Sequence, residues 1–320
     1  MEQKEIRIGI AGTGKIIPES AEALLETGFK LVSIWGPHVE KAVPLAAKYS
    51  IPKVCSTYEE LLSSGIDCVY IALVNSVHFE YAMKALDAGV NVLLEKPFCS
   101  TLSEAQKLVS FAIEKGLYLF ETISNVFLPS WAMVQKRIAD IGPVKLFQAD
   151  FSQYSSRYEA YLRGEVSPSF NPLFEGGALR DLNVYNIHLA VSLLGRPQEV
   201  IYRPNKGYNG VDTSGILLLQ YSGLQAVCAA AKDSGNPSGV TIQGEKGWIR
   251  LTGMPNILPQ VEVCVRGKEP ESFSPNRYTS RLCHMFASIR DIMERCDLAA
   301  MQQRLSNSLV VMGVLEHAGR

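Results

Sequence analysis

The stretch EIRIGIAGTGKII, residues Glu5 to Ile17, decides the fold. Its first half alternates apolar and other side chains as a strand does, and it continues into Gly12-Thr13-Gly14. Glycine there lets the backbone turn tightly and approach a pyrophosphate that lies at the N-terminus of the following helix. In this context the pattern favours a dinucleotide-binding strand, turn and helix over an ordinary tight turn.

Strand-like and helical segments continue to alternate up to about residue 122. Apolar residues recur at helical spacing before Gly89 and again before Gly116. Thr57 with Glu60, and Ser103 with Gln106, have the spacing of capping boxes at helix starts. Further strands are predicted at residues 30–36, 67–73, 90–95 and 117–121. Alternation of this kind predicts an α/β domain, a doubly wound parallel sheet over residues 1–122.

The rhythm changes in residues 123–320. Strand-like runs with Gly, Asn and Pro turns extend to about residue 265, and they predict an α+β domain with a mostly antiparallel sheet. Other elements are expected near residues 129–140 (helix), 144–154 (strands), 179–194 (long helix), 280–295 and 301–317 (helices).

Composition excludes several classes of function. The 320 residues carry a net charge of -1 without blocks of like charge, so neither nucleic acid nor an anionic membrane surface is an expected partner. The apolar runs are shorter than the roughly 18 residues of a membrane span, and the start does not resemble a signal peptide, which predicts a cytoplasmic protein. The seven cysteines contain no Cys-x-x-Cys pair, and the five histidines show no metal-binding spacing, so no metal is expected.

Choice of dinucleotide usually depends on an acidic residue at the end of the second strand, which binds the ribose and repels a 2′-phosphate. The sequence SIWGPHVEK, from Ser33 to Lys41, has no acid before Glu40 and carries His38. This pattern favours NADP weakly and leaves NAD open. A helix start with a solvated, charged face is an alternative interpretation that accounts for it nearly as well.

Glu95-Lys96-Pro97 follows a predicted strand at the edge where open α/β sheets bind ligands. A lysine ammonium beside a nicotinamide could polarise a substrate carbonyl. A salt bridge that merely ends the strand is the alternative.

Asp181, Tyr185 and His188 have the spacing i, i+4 and i+7 and would share one face of a regular helix. Gly176 and Gly177 precede them and would permit a close approach to a ligand. The alternative is a charge at a helix start followed by a half-buried aromatic residue.

Four segments together resemble the Gfo/Idh/MocA family, which includes glucose-fructose oxidoreductase and inositol dehydrogenase. They are Gly12-Thr13-Gly14-Lys15-Ile16, Asn75-Ser76-Val77-His78, Glu95-Lys96-Pro97, and EGGALRDLNVY at Glu175 to Tyr185. The similarity runs in order along nearly the whole chain. Tyr185 stands where this family carries His or Tyr, as in the branch of glucose-fructose oxidoreductase and dihydrodiol dehydrogenase. Val74 and the sequence WGPH depart from the family pattern.

The resemblance implies a Rossmann domain and a substrate domain whose open sheet forms a homodimer or a higher homo-oligomer. It implies hydride transfer between NAD(P) and a sugar-like or cyclic alcohol or carbonyl compound. Lys96, Asp181 and Tyr185 would be catalytic, with Tyr185 as acid/base. A dinucleotide-binding sensor that has lost the chemistry is the alternative. Expected cofactor contacts are Gly12, Thr13, Gly14, Lys15, Ile16, Trp35, His38, Asn75, His78, Glu95 and Lys96. Expected substrate contacts are Gln153, Tyr154, Arg157 and His188.

Overall fold

The computed structural model describes residues 5–319. They form two compact units, the first from the residues up to Thr122 and Tyr278–Leu309, the second from Ile123–Arg277 and the residues after Leu309. Both units differ in extent from the domains expected from the sequence, because residues Tyr278–Leu309 return to the first unit and are missing from the second.

The helices, in chain order, are α1 (Ile17–Glu26), α2 (Val39–Lys48), α3 (Tyr58–Leu62), α4 (His78–Asp87), α5 (Leu102–Lys115), α6 (Pro129–Arg137), α7 (Tyr158–Leu162), α8 (Val184–Leu194), α9 (Arg281–Glu294) and α10 (Leu298–Ala318). The strands are β1 (Arg7–Ala11), β2 (Lys30–Trp35), β3 (Lys53–Val54), β4 (Cys68–Ile71), β5 (Asn91–Glu95), β6 (Leu119–Thr122), β7 (Val144–Ser152), β8 (Glu199–Lys206), β9 (Asp212–Tyr221), β10 (Leu224–Ala231), β11 (Gly239–Gly244), β12 (Gly247–Thr252), β13 (Gln260–Val265) and β14 (Glu271–Phe273).

The first unit is built on a parallel sheet in the order β3-β2-β1-β4-β5-β6. The predicted doubly wound sheet is confirmed, and the strand order reverses at β1, where such sheets bind ligands. Strand β3 was not predicted from the sequence, because a strand of two residues is too short to show an alternating pattern.

Helix starts in this unit show how local chemistry sets boundaries. Thr57 caps α3 as predicted, since its hydroxyl accepts from the Glu60 N–H. The box expected at Ser103 was wrong. Thr101 caps α5 instead, because its backbone is extended and its hydroxyl accepts from the N–H of Glu104.

Helix α9 belongs to the first unit through its contacts with α1 and the sheet. The Phe286 ring meets Phe29 and Tyr70 edge-on, with centroids 6.4 Å and 5.8 Å away. At the rim Arg281 donates to Glu19 over 3.1 Å. Burial of this apolar face, rather than closeness in sequence, recruits the helix to the unit.

The second unit contains an eight-stranded sheet in the order β14-β13-β12-β11-β7-β10-β9-β8. Its strands pair antiparallel except for β10 with β7, so the predicted mostly antiparallel sheet is confirmed. On β7, Phe147, Ala149 and Phe151 are buried on one face, while Gln148 on the other is exposed. Among the described residues, none of the helices combines the length and apolar character that crossing a bilayer requires.

Candidate active site

The two glycines of the first turn are required for different reasons. Gly12 has φ +137°, and a Cβ there would lie 2.3 Å from the carbonyl oxygen of Ala72. Gly14 is exposed, and a Cβ there would meet nothing within 4 Å. Gly12 therefore fits the turn against the end of β4, whereas Gly14 leaves open space for a ligand.

Helix α1 begins directly after this turn, and the cap residue Ile16 has no side chain that could accept from its first N–H groups. Ile17 replaces the third glycine of the usual fingerprint and is fully buried. Lys15 is exposed beside the turn. Uncapped N–H groups and an open glycine backbone fit a pyrophosphate, so the residues present suit a dinucleotide.

The end of β2 carries an aromatic residue where a dinucleotide-binding domain usually has a polar or acidic residue that binds the ribose. Trp35 is only 7% exposed and packs against Tyr81 and Tyr58, at centroid distances of 5.5 Å and 5.3 Å. His38 is exposed, and its Nδ1 lies 3.6 Å from the Glu40 carboxylate. The turn itself touches the first glycine loop, since a Cβ at Gly36 would meet the Thr13 methyl group at 2.8 Å.

Glu95 ties the end of β5 to its neighbours. Its Oε1 accepts from the Tyr70 hydroxyl and the Thr122 hydroxyl, each over 2.8 Å. Burial raises the pKa of the Tyr70 phenol well above its ordinary range, so Tyr70 remains a donor. Strands β4, β5 and β6 are thereby joined immediately before Lys96, which explains why an acid ends an apolar strand.

His78 holds the loops that follow β4 and β5. It is fully buried, with Nδ1 2.9 Å from the Pro97 carbonyl oxygen and Nε2 3.3 Å from that of Leu73. The Lys96-Pro97 peptide bond is cis. Asn75 starts a 3₁₀ turn that leads into α4. The His78 ring therefore lies against the loop that contains Lys96 and connects the backbone at Pro97 with that at Leu73.

Asp181 lies in a π-helical segment, Leu179–Asn183, which passes directly into α8. The expected common face assumed a regular α-helix, and the wider π turn changes the angle between Asp181 and the residues on α8. Asp181 keeps 34% of its side chain exposed, whereas Tyr185 is 6% and His188 2% exposed. The Tyr185 ring packs edge-on against Phe151, with centroids 5.6 Å apart.

The two glycines before this segment face protein, and the expectation that they admit a ligand was wrong. A Cβ at Gly177, which has φ +120°, would lie 1.9 Å from Oδ1 of Asp212. One at Gly176 would lie 2.6 Å from the Pro168 carbonyl oxygen. The space that glycine provides is filled by a carboxylate and by a neighbouring loop.

Asp212 fastens the π segment to β9. Its Oδ2 accepts from the Leu179 N–H and from the Tyr202 hydroxyl, each over 2.6 Å. Burial raises the pKa of the Asp212 carboxyl, while these hydrogen bonds and the charge of Lys232 oppose the rise.

Lys232, which sequence reasoning missed, is paired with Asp181. Its Nζ donates to Asp181 Oδ2 over 2.7 Å and to the Ser169 carbonyl oxygen over 2.6 Å. The side chain is 3% exposed, and Nζ lies 4.4 Å from the centre of the Phe170 ring. Its position directly after the apolar strand β10 was the available signal, because Lys96 follows β5 in the same way.

The expected substrate residues of the second unit fall into two groups. Arg157 donates to the Ser169 hydroxyl over 3.0 Å, so it meets Lys232 at the same loop residue. Gln153 is exposed, and the exposed Tyr154 donates its hydroxyl hydrogen bond to Glu159. Within the second unit, Arg157 and Lys232 both bind Ser169, and Lys232 also binds Asp181. Tyr154 binds Glu159 instead. Lys96 belongs to the first unit.

A parallel doubly wound sheet, an open glycine turn and a lysine at the carboxyl edge define the class of dinucleotide-binding oxidoreductases. Residues 6–122 match the oxidoreductase family with an NAD-binding Rossmann fold, and residues 131–250 match the GFO/IDH/MocA C-terminal domain. The chain belongs to the Gfo/Idh/MocA family of NAD(P)-dependent oxidoreductases.

Individual relatives agree with this assignment. The chain is 36% identical over 246 residues to the NADP-dependent scyllo-inositol 2-dehydrogenase IolU of Bacillus subtilis, covering 76% of this chain and 75% of that protein. It is 27% identical over 328 residues to trans-1,2-dihydrobenzene-1,2-diol dehydrogenase of Xenopus tropicalis, covering 97% and 96%.

Solved structures share the fold. The 3-ketoreductase KijD10 of Actinomadura kijaniata, in complex with TDP-benzene and NADP, superposes with a TM-score of 0.84 at 21% identity, covering 99% of this chain and 97% of that one. A levoglucosan dehydrogenase in complex with NADH and levoglucosan gives 0.85 at 17% identity, covering 99% and 98%.

Proposed function

We propose that the chain transfers a hydride between NADP(H) or NAD(H) and a cyclic polyol, a sugar-like alcohol or the matching carbonyl compound. The observation that carries this proposal is the position of Lys96 at the carboxyl edge of the parallel sheet. Glu95 is hydrogen-bonded to strands on both sides of β5 and His78 lies beneath the loop, so the lysine is held on a rigid support.

Three side chains have distinct roles in this proposal. When bound, the nicotinamide accepts or supplies the hydride. Tyr185 takes the substrate hydroxyl proton during oxidation and returns it during reduction, so one proton accompanies each hydride. Lys96 stabilises negative charge that develops on the same substrate oxygen. Asp181 accepts a hydrogen bond from a hydroxyl group of the substrate, because 34% of its side chain is exposed.

The substrate class is supported by the relatives. The names of IolU and of the Xenopus enzyme describe a cyclohexane polyol and a cyclic diol. A half-exposed carboxylate next to buried lysine charge suits a ligand with several hydroxyl groups, since each hydroxyl can donate to it.

The test is steady-state kinetics with NADP and NAD on a panel of inositols, cyclic diols and pyranoses, and with NADPH on the matching ketones. We expect turnover of at least one cyclic polyol, and a fall of about 10²- to 10⁴-fold in kcat for Tyr185→Phe. Tyr208→Phe is the control, since it also removes one phenol hydroxyl, and that side chain is 62% exposed and donates to the Tyr161 carbonyl oxygen. Stoichiometric dinucleotide binding without turnover of any compound would favour the sensor.

We also propose a homodimer formed by the exposed face of the eight-stranded sheet. Leu218 pairs with Ile201 on β8 and with Val227 on β10, which makes an apolar row across three strands. Ile216 and Leu218 are 51% and 39% exposed. Such a patch is typical of a surface that binds another protein, and a twofold-symmetric dimer covers the same patch on both copies.

A further inference from the structure

The surroundings of Lys232 determine what it can do. A buried ammonium is costly unless it is paired and hydrogen-bonded, and the Lys232 side chain is 3% exposed. It has three donor hydrogens. Two contacts are the Asp181 carboxylate and the Ser169 carbonyl oxygen, and the face of Phe170 lies on a further side at 4.4 Å. The ammonium is therefore held from several directions and cannot swing away from Asp181.

Asp181 is more exposed to solvent than Lys232. Its side chain is 34% exposed, so a ligand can reach the carboxylate that Lys232 holds from the buried side. Its backbone lies in the π-helical segment, which Asp212 fastens to β9 through the Leu179 N–H. The segment fixes the main chain of Asp181, and Lys232 fixes its carboxylate.

We propose that Lys232 is a positioning residue that keeps the Asp181 carboxylate ionised and oriented to accept a hydrogen bond from a substrate hydroxyl. This inference rests on the proposed function for its kinetic consequences. Lys232 does not touch the substrate in this role, and it acts through Asp181.

The kinetic test compares the pH dependence of kcat/KM in the wild type and in Lys232→Met. Without the cation the carboxylate is easier to protonate, so the acidic limb of the profile should move up by about one pH unit or more. At neutral pH we expect KM for the polyol to rise about tenfold, while the dissociation constant of NADP(H) stays unchanged. Lys145→Met is the control, because Lys145 makes an exposed ion pair with Glu245 in the same unit.

A double-mutant cycle separates positioning from general support of the fold. If Lys232 acts through Asp181, Lys232→Met should change kcat/KM and its pH profile little in an Asp181→Asn background. Additive losses would overturn the proposal. If Lys232→Met alone does not fold, the double variant can still be compared with Asp181→Asn, because the double variant buries no lone charge. Equal kcat/KM values and pH profiles in these two variants would support the positioning role, and a further loss in the double variant would refute it.

A titration independent of turnover keeps this inference distinct from the proposed function. The carboxyl signal of Asp181 in ¹³C-aspartate-labelled protein is assigned by its loss in Asp181→Asn. We expect its titration midpoint to rise in Lys232→Met and to stay in place in Lys145→Met. An unchanged midpoint would refute the role of Lys232 even in an active enzyme. A risen midpoint in a protein without turnover would refute the proposed function alone.

Discussion

Lys96 and Lys232 both directly follow apolar strands, and this position restricts what each ammonium can contact. Lys96 comes after a strand end fixed by Glu95, and Lys232 comes after β10 and lies against Asp181. A long, flexible side chain becomes a defined charge only when its stem is packed, because free rotamers would spread that charge over several positions.

Dinucleotide choice is also decided by single residues. Replacing the exposed Pro37 by Asp puts a carboxylate just beyond the end of β2. Since it repels a 2′-phosphate and can bind a ribose hydroxyl, we expect the preference for NADP over NAD to fall by about tenfold. Dissociation constants from fluorescence titration with both dinucleotides measure the change. Gln106→Asp, on the exposed side of α5, adds the same charge and should leave the ratio as in the wild type.

At the scale of elements, the π-helical segment before α8 depends on Asp212 of β9. The folded state raises the pKa of that carboxyl through burial. Between the ordinary value of about 4 and the raised value, the folded state binds more protons than the unfolded state, so this group's contribution to stability falls as pH rises.

Asp212→Asn removes the carboxyl group and with it this pH dependence of stability. We expect the free energy of unfolding of the variant, relative to the wild type, to increase as pH rises from about 4 toward neutrality. Urea unfolding at a series of pH values measures it. The exposed Asp87→Asn should give a flat difference over the same range. A flat difference for Asp212→Asn as well would contradict the stated effect of burial.

At the scale of the whole molecule, the proposed dimer makes a prediction about mass. One chain has a mass of 35.2 kDa, and light scattering after size exclusion should give twice that value for the wild type. Leu218→Lys places a charge in the apolar row of the sheet, so we expect it to shift the protein toward monomer. Leu162→Lys, at a 56% exposed position on α7, should not. A monomeric wild type would rule out the dimer.

Several features of the fold were predictable because they depend on neighbours in sequence. The Gly12-x-Gly14 turn, the alternation of strands and helices, and the cap at Thr57 each follow from backbone conformation within a few residues. The position of Lys96 after β5 was predictable in the same way, since the carboxyl end of a parallel strand can be located from its apolar run. The box expected at Ser103 failed because Thr101 offers the same chemistry one half-turn earlier.

The sequence by itself determined the class of each sheet and the position of Lys96 directly after a parallel strand. Tertiary structure alone decided that α9 packs in the first unit, that Gly177 makes room for Asp212, and that Lys232 pairs with Asp181. The physical reason is that backbone periodicity is encoded locally, whereas the partner of a buried charge is supplied by whichever distant segment the packing of the core brings beside it.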